Sequence, residues 1–185
     1  MTSKSPASGK LTYEDYAAIP GDGRRHEIVD GVHIVNPAPS TYHQAISSRL
    51  LYEFFQQVQL SRQGHVFHAP TDLLLTPHDI VQPDLIVVLE AHRHIITPTN
   101  IKGTPDLVVE ILSRATRELD RTQKKSLYEH CGVPEYWIVD PDEHHVERFV
   151  LQDGAYQAPS RHENSIEAAT IAHVRIDLSK VWAHD

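Results

Sequence analysis

Hydrophobic positions along the chain change period several times, and each change marks an element. Residues 26–35, HEIVDGVHIV, carry two β-branched runs about Asp30-Gly31, a dipeptide suited to a two-residue hairpin turn. After Asn36-Pro37-Ala38-Pro39 the period becomes four: Ile46, Leu50, Phe54 and Val58 form a stripe that Leu51 and Phe55 widen. Gly64 stops it, so the longest helix is predicted over 41–62. A short helix over 13–18 is predicted from Thr12 as N-cap, with Glu14 and Asp15 in the first turn, ending at Pro20-Gly21-Asp22-Gly23. Extended stretches follow at 65–68, 72–75, 84–89 and 106–112. The last two, DLIVVL and DLVVEIL, are apolar almost throughout, which predicts strands buried on both faces. Pro83 and Pro105 precede them, where a missing N–H costs least. A second helix is predicted over 117–131, then a buried strand YWIVD at 136–140. VERFVL and AYQ, joined by Gln152-Asp153-Gly154, form an outer hairpin. The remainder to Asp185 has only weak strand signals. Small polar residues over 1–10 predict a flexible tail, leaving 11–185 as a single domain of the mixed α/β class.

Composition narrows the function. The 185 residues support one domain with a substantial core. A formal charge of -8 argues against a protein that coats nucleic acid through bulk charge. Cys131 is the only cysteine, so no internal disulfide can form and a reducing compartment is expected; it reads as a core thiol. No apolar run reaches a membrane span, and MTSKSPASGK lacks the apolar stretch of a secretory signal, so a cytoplasmic location is expected.

The acids then stand out. Glu110 lies inside VVEIL, the most apolar run, where an unpaired charge would cost several kcal/mol. It is either a paired or neutral acid, or a metal ligand. Asp106 cannot join it, lying four residues along the same strand, roughly 13 Å at ~3.3 Å per residue. Asp84 can, if DLIVVL and DLVVEIL are sheet neighbours about 4.8 Å apart. Glu27, before Ile28 and Val29, is a third candidate, although a carboxylate on an edge strand is ordinary. Leu112, two residues after Glu110, cannot supply a cation; Asp120, Lys124 and Tyr128 share one helical face. Lys124 either reaches the acids or forms a surface pair with Asp120.

The strings QPDLIVV, GTPDLVVEILS, Asp120–Lys124–Tyr128, GVPEYWIVDP and GDGRRHEIVDG resemble the Uma-two family of restriction endonucleases, a branch of the PD-(D/E)xK nuclease superfamily. The likeness runs from Leu11 to the C-terminus, with His26 where the family has tyrosine. It implies a restriction-endonuclease-like αβββαβ core: a mixed central sheet flanked by helices, with extra N-terminal and C-terminal hairpins. By position, Asp84 and Glu110 are the two acids, Lys124 the lysine displaced onto the following helix, and Glu27 the upstream acid. Gln82 and Tyr128 support the site, and Asp84, Glu110 and the Ile111 carbonyl would hold Mg²⁺ or Mn²⁺. The implied activity is metal-dependent endonuclease cleavage of nucleic acid, with DNA as the expected substrate. Arg114, Arg117, Arg121 and Lys125 gather beside the site, either as phosphate contacts or as a solvated helix face. By analogy, a homodimer would let so small a nuclease cut two strands.

Fourteen histidines are conspicuous, but the pairs His65/His68, His92/His94 and His144/His145 come with no HExxH or CxxC, so no zinc motif is expected. His43, at the TYHQ start of the long helix, reads first as a helix-start polar residue and second as a residue that approaches the catalytic cleft. Two classes stay open: a Mg²⁺-dependent nuclease, or a catalytically inactive nucleic-acid-binding or protein-interaction module on the same fold.

Overall fold

The computed structural model describes residues 9–183. The predicted tail therefore lies outside the described residues except for its last two, of which Lys10 pairs with Asp30. In chain order come α1 (Tyr13–Ala17), β1 (Arg25–Val29), β2 (Val32–Asn36), α2 (Thr41–Phe54), β3 (Gly64–His68), β4 (Leu73–Thr76) and β5 (Asp79–Val81). Next are β6 (Leu85–Leu89), β7 (Ile101–Lys102), β8 (Leu107–Ile111), α3 (Arg117–Leu119), α4 (Lys125–His130) and β9 (Glu135–Asp140). The chain finishes with β10 (His145–Gln152), β11 (Ala155–Tyr156), β12 (Ser160–His162), β13 (Ser165–Glu167), β14 (Arg175–Asp177) and α5 (Leu178–Val181).

Two sheets carry the fold. One runs β2-β1-β5-β4-β7; the other runs β11-β10-β9-β8-β6-β3, with β12 beside β10. The Asp30-Gly31 turn is left-handed at both positions, φ 51° and 76°, and joins β1 to β2 as expected. Gly31 is also pressed against Lys10, where a Cβ would collide with that side chain. DLIVVL and DLVVEIL are indeed neighbours: β6 and β8 pair antiparallel with Leu85 opposite Val109, which sets Asp84 across from Glu110. β9 then joins β8 in parallel through the 117–130 crossover. The succession α2–β3–β6–β8–crossover–β9 follows the αβββαβ order, a mixed sheet flanked by helices.

The stripe Ile46, Leu50, Phe54 and Val58 packs on one face of that sheet against Leu85, Val87, Val109 and Trp137. Tyr128 and Tyr136 belong to the core on the other face, with Ile86 and Val108.

Four features differ from the sequence-based expectation. The long helix is α-helical only to Phe54 and continues as a π-type turn over Phe55–Gln59. The second helix is α3 and α4 joined by another π-type turn, Asp120–Lys124, a widening that tends to accompany functional sites. β5 and β7 were not anticipated, because two or three residues carry no measurable period. Finally, the C-terminal segment is part of the core: Ile166, Ile171, Val174, Ile176, Leu178 and Val181 are buried against the sheet.

Candidate active site

The 82–84 connection carries the chain from β5 in one sheet to β6 in the other, and Asp84 sits at this crossing. Its Oδ2 accepts the Ile111 N–H at 2.8 Å and lies 3.2 Å from His43 Nε2, while Oδ1 accepts Arg25 Nη1 at 3.0 Å. Burial pushes this carboxyl up, but His43, Arg25 and the Ile111 N–H outweigh it and hold it down at about 2. Glu110, opposite on β8, receives the Tyr128 hydroxyl at 2.7 Å and Lys124 Nζ at 3.0 Å, both on Oε1. Here burial wins, and Asp120, Asp84 and Glu27 add to it against Lys124, so the carboxyl is pushed up to about 8.

Glu27, fully buried on β1, accepts Lys124 Nζ at 3.0 Å, the Gln82 N–H at 2.7 Å and Asn36 Nδ2 at 2.6 Å. Burial opposes its charge, but Lys124 and Arg25 bring it below the ordinary value. Lys124 ends the π-type turn, is 1% exposed and also lies 3.7 Å from Asp120. Burial works against its ammonium, yet Glu110, Glu27 and Asp120 together raise its pKa. The Asp120 carboxyl is raised, burial first, and its buried Oδ1 has no hydrogen-bond partner among the described residues.

Arg25, His43, Asp84, Glu110, Asp120 and Lys124 line a cleft of about 570 Å³, which the fully buried Glu27 does not reach. Asp84, Glu110, Glu27 and Lys124 come together, with Tyr128 and the Gln82 backbone in support. The surface pair considered for Lys124 and Asp120 does not occur, since both are buried. The Ile111 carbonyl faces His43 Nε2 at 3.0 Å. Arg114 is exposed and lines the cleft. Arg117 lines it too, but is held by Asp140 at 2.6 Å and Asp142 at 2.7 Å. Arg121 and Lys125 do not line it: Arg121 binds Glu147 at 2.8 Å, and Lys125 lies 5.2 Å from the Phe149 ring centre. The 117–130 crossover thus turns two of its cations away.

Sequence reasoning missed Arg25 and Asp120 as site residues and ranked His43's approach to the cleft second to a helix-start role. The four-residue spacing Asp120–Lys124–Tyr128 contained the signal for Asp120. Arg25 is one residue from a strand pattern that drew attention only to Glu27, and His43 resembled any polar residue at a helix start. Cys131 is a free thiol, half-buried, and burial pushes it up to about 11, in keeping with an unreactive role.

The donor set fits a hard divalent cation. Glu27, Asp84, Glu110 and Asp120 face two permanent cations, Arg25 and Lys124, an excess of acid that protonation of Glu110 relieves.

Residues 13–179 match the family model described as "Uma2: Putative restriction endonuclease". No curated protein matches the chain. Among solved structures, a putative nuclease belonging to DUF820 from Anabaena variabilis ATCC 29413 is similar, with a TM-score of 0.78 at 19% identity. The match covers 93% of this chain and 97% of that one, a likeness of fold along nearly the whole length.

Proposed function

The chain belongs to the Uma2 family of putative restriction endonucleases, and on that premise we propose that it is a metal-dependent endonuclease hydrolysing phosphodiester bonds, with DNA as substrate and Mg²⁺ or Mn²⁺ as cofactor. The observation that carries this reading is the pairing of Asp84 with Glu110 across adjacent strands, beside a buried Lys124 and open to a cleft. Asp84 and Glu110, with the Ile111 carbonyl, would hold the cation. When bound, it supplies Lewis-acid chemistry, acidifying water and offsetting charge on the phosphate.

The chain's own groups divide the remaining work. Asp84 is kept ionised by Arg25, His43 and the Ile111 N–H, so it is ready to bind a cation at neutral pH. Glu110 must shed a proton first, which makes cation affinity rise as pH climbs through about 8. Lys124 holds its proton between Glu110 and Glu27, so it acts as a fixed positive charge and not as a base. Tyr128 donates to Glu110 Oε1 and fixes that carboxylate's rotamer. Exposed Arg114 is the cleft residue best placed to meet phosphate. A second copy, bringing a second cleft, would serve the opposite strand.

The test is cleavage of plasmid and oligonucleotide substrates with Mg²⁺ or Mn²⁺. The wild type is expected to cut, and Asp84→Ala and Glu110→Ala are each expected to lose activity about 10²–10³-fold, the scale of a lost charge-stabilising group. No cleavage by the wild type, or equal cleavage by wild type and variants, overturns the proposal.

A further inference from the structure

A second group of potential ligands lies on the turn between β9 and β10. Asp140 ends β9, Glu143 occupies the turn and His145 opens β10; one donor atom from each lies within 4.8 Å of the others. Acids on a turn are common, and the imidazole is what distinguishes this one. His145 is 1% exposed, and its Nε2 lies 3.3 Å from Glu147 Oε1. Its buried Nδ1 has no hydrogen-bond partner among the described residues, and Glu143 Oε2 stands 3.7 Å away.

A carboxylate that accepts Nε2–H selects the tautomer with a lone pair on Nδ1. That is the arrangement found behind metal-bound histidines. A bare lone pair among carboxylate oxygens, out of water, is unfavourable, and a cation placed between them reverses the sign. We propose that Asp140, Glu143 and His145 form a second cation site, separate from the cleft acids, for a borderline first-row divalent ion such as Zn²⁺. One imidazole nitrogen with two carboxylates suits such an ion better than Mg²⁺ or Ca²⁺, which take oxygen alone.

The geometry needs one adjustment. Ligands about 2.0–2.2 Å from an ion stand roughly 3–4 Å from each other, so the group must close slightly. Glu143 can do this: its side chain is 60% exposed, and its 3.4 Å contact with Arg161 is a surface pair worth little. Asp140 is anchored by Arg117, by Arg121 at 3.4 Å and by the N–H groups of Asp142 and Glu143, which hold its carboxylate in place. Those same guanidinium contacts repel a cation and set an upper limit on affinity. No sequence motif announces the site: one carboxylate ends β9, the other lies in the turn, and the histidine opens β10.

The experiment is calorimetric titration of the full chain with ZnCl₂ alone. One binding event is expected that survives Asp84→Asn yet weakens at least tenfold in Glu143→Gln, since losing even a group behind a ligand costs ~10–100-fold. Glu143 is exposed on a turn, so that variant is expected to keep the wild-type unfolding curve. An isotherm unchanged in Glu143→Gln, or the absence of any binding event that survives Asp84→Asn, would overturn the proposal, whereas a further event lost in Asp84→Asn belongs to the cleft. The His145 ring nitrogens give an independent readout by ¹⁵N NMR. Zn²⁺ is expected to shift Nδ1, whereas a ring protonated on both nitrogens and indifferent to Zn²⁺ means that a proton closes the gap instead. Failure of the nuclease reading changes only the cleavage assay and leaves these results standing.

Discussion

β8 and β9 run parallel, and each end of the pair buries a glutamate, to opposite effect. Glu135, at the end where it faces Leu107, is fully buried and accepts Trp137 Nε1 at 2.7 Å, the Ala169 N–H at 2.9 Å, and the Thr170 N–H and Oγ1 both at 2.8 Å. These neutral donors satisfy both oxygens, and among the described residues no ion pair involves it. Glu110, near the other end opposite Ile138, has two donors crowded on Oε1 and three more carboxylates around it. The first carboxylate is complete: it ties the C-terminal segment to the sheet and needs nothing further. The second is undercompensated, and its surplus of acid opens onto a cleft. Burial alone does not mark a functional acid; the supply of donors does.

The contrast breaks most visibly at Lys124. Lys124→Met leaves Glu27, Glu110 and Asp120 without their shared ammonium, and loss of one partner from a buried ion group costs about 3–5 kcal/mol. Urea unfolding is expected to register that loss in metal-free protein, and added Mn²⁺ to restore part of it. At the other end, Glu135→Ala removes the acceptor of four donor groups, of which the Trp137 Nε1–H is buried, and is expected to cost about 1–3 kcal/mol, with Mn²⁺ making no difference. A metal response at Glu135, or none at Lys124, would erase the distinction between the two ends.

How far these roles could be read from the sequence depends on the kind of signal. Asp84 and Glu110 were legible because an acid in or beside an apolar strand is costly, and a cost demands a partner. The hairpin at Asp30-Gly31 and the stripe from Ile46 to Val58 were legible because local chemistry dictates them. Glu135 was not singled out: its donors at Ala169 and Thr170 lie more than thirty residues away, in a stretch with little pattern. The same limit obscured His43, whose partners Asp84 and Ile111 are brought to it only by tertiary packing. It also misdirected Arg121 and Lys125, since nearness in sequence cannot say which way a helix turns its side chains.

A pH titration sharpens the comparison without altering the fold. Glu110 is raised from 4.5 to about 8, so the folded state holds its proton more tightly than the unfolded state does. Its contribution to stability is complete below pH 4.5 and is lost as pH rises through about 8. Asp84, lowered from 3.8 to about 2, works in the opposite sense: its contribution is present above 3.8 and disappears as pH falls through about 2. Metal-free protein is therefore expected to lose stability between pH 5 and 8, by at most about 1.4 kcal/mol per pH unit, and Glu110→Gln to flatten that slope. Added Mg²⁺ is expected to flatten it as well, by favouring the ionised carboxylate. A slope that survives Glu110→Gln would assign the effect to another group.

The smallest effect separates the cations that reach the cleft from those that do not. Arg114 is exposed at the rim, and among the described residues no ion pair holds it. Lys125 rests over the Phe149 ring on the far side of the helix. A phosphate contact weakens binding on any sequence and adds about one to the salt slope when present. Arg114→Ala is therefore expected to raise KM about tenfold, leave kcat nearly unchanged and reduce the salt dependence by about one counterion. Lys125→Ala is expected to leave KM within about twofold and to cost only ~0.5–1 kcal/mol of stability, the scale of an exposed cation–π contact. The pair of variants reads direction, not charge: both remove one positive group from the connection between β8 and β9. Equal effects on KM would mean that bulk charge governs binding. A selective loss at Arg114 would mean that the cleft does, in spite of a net charge of -8 on the chain as a whole.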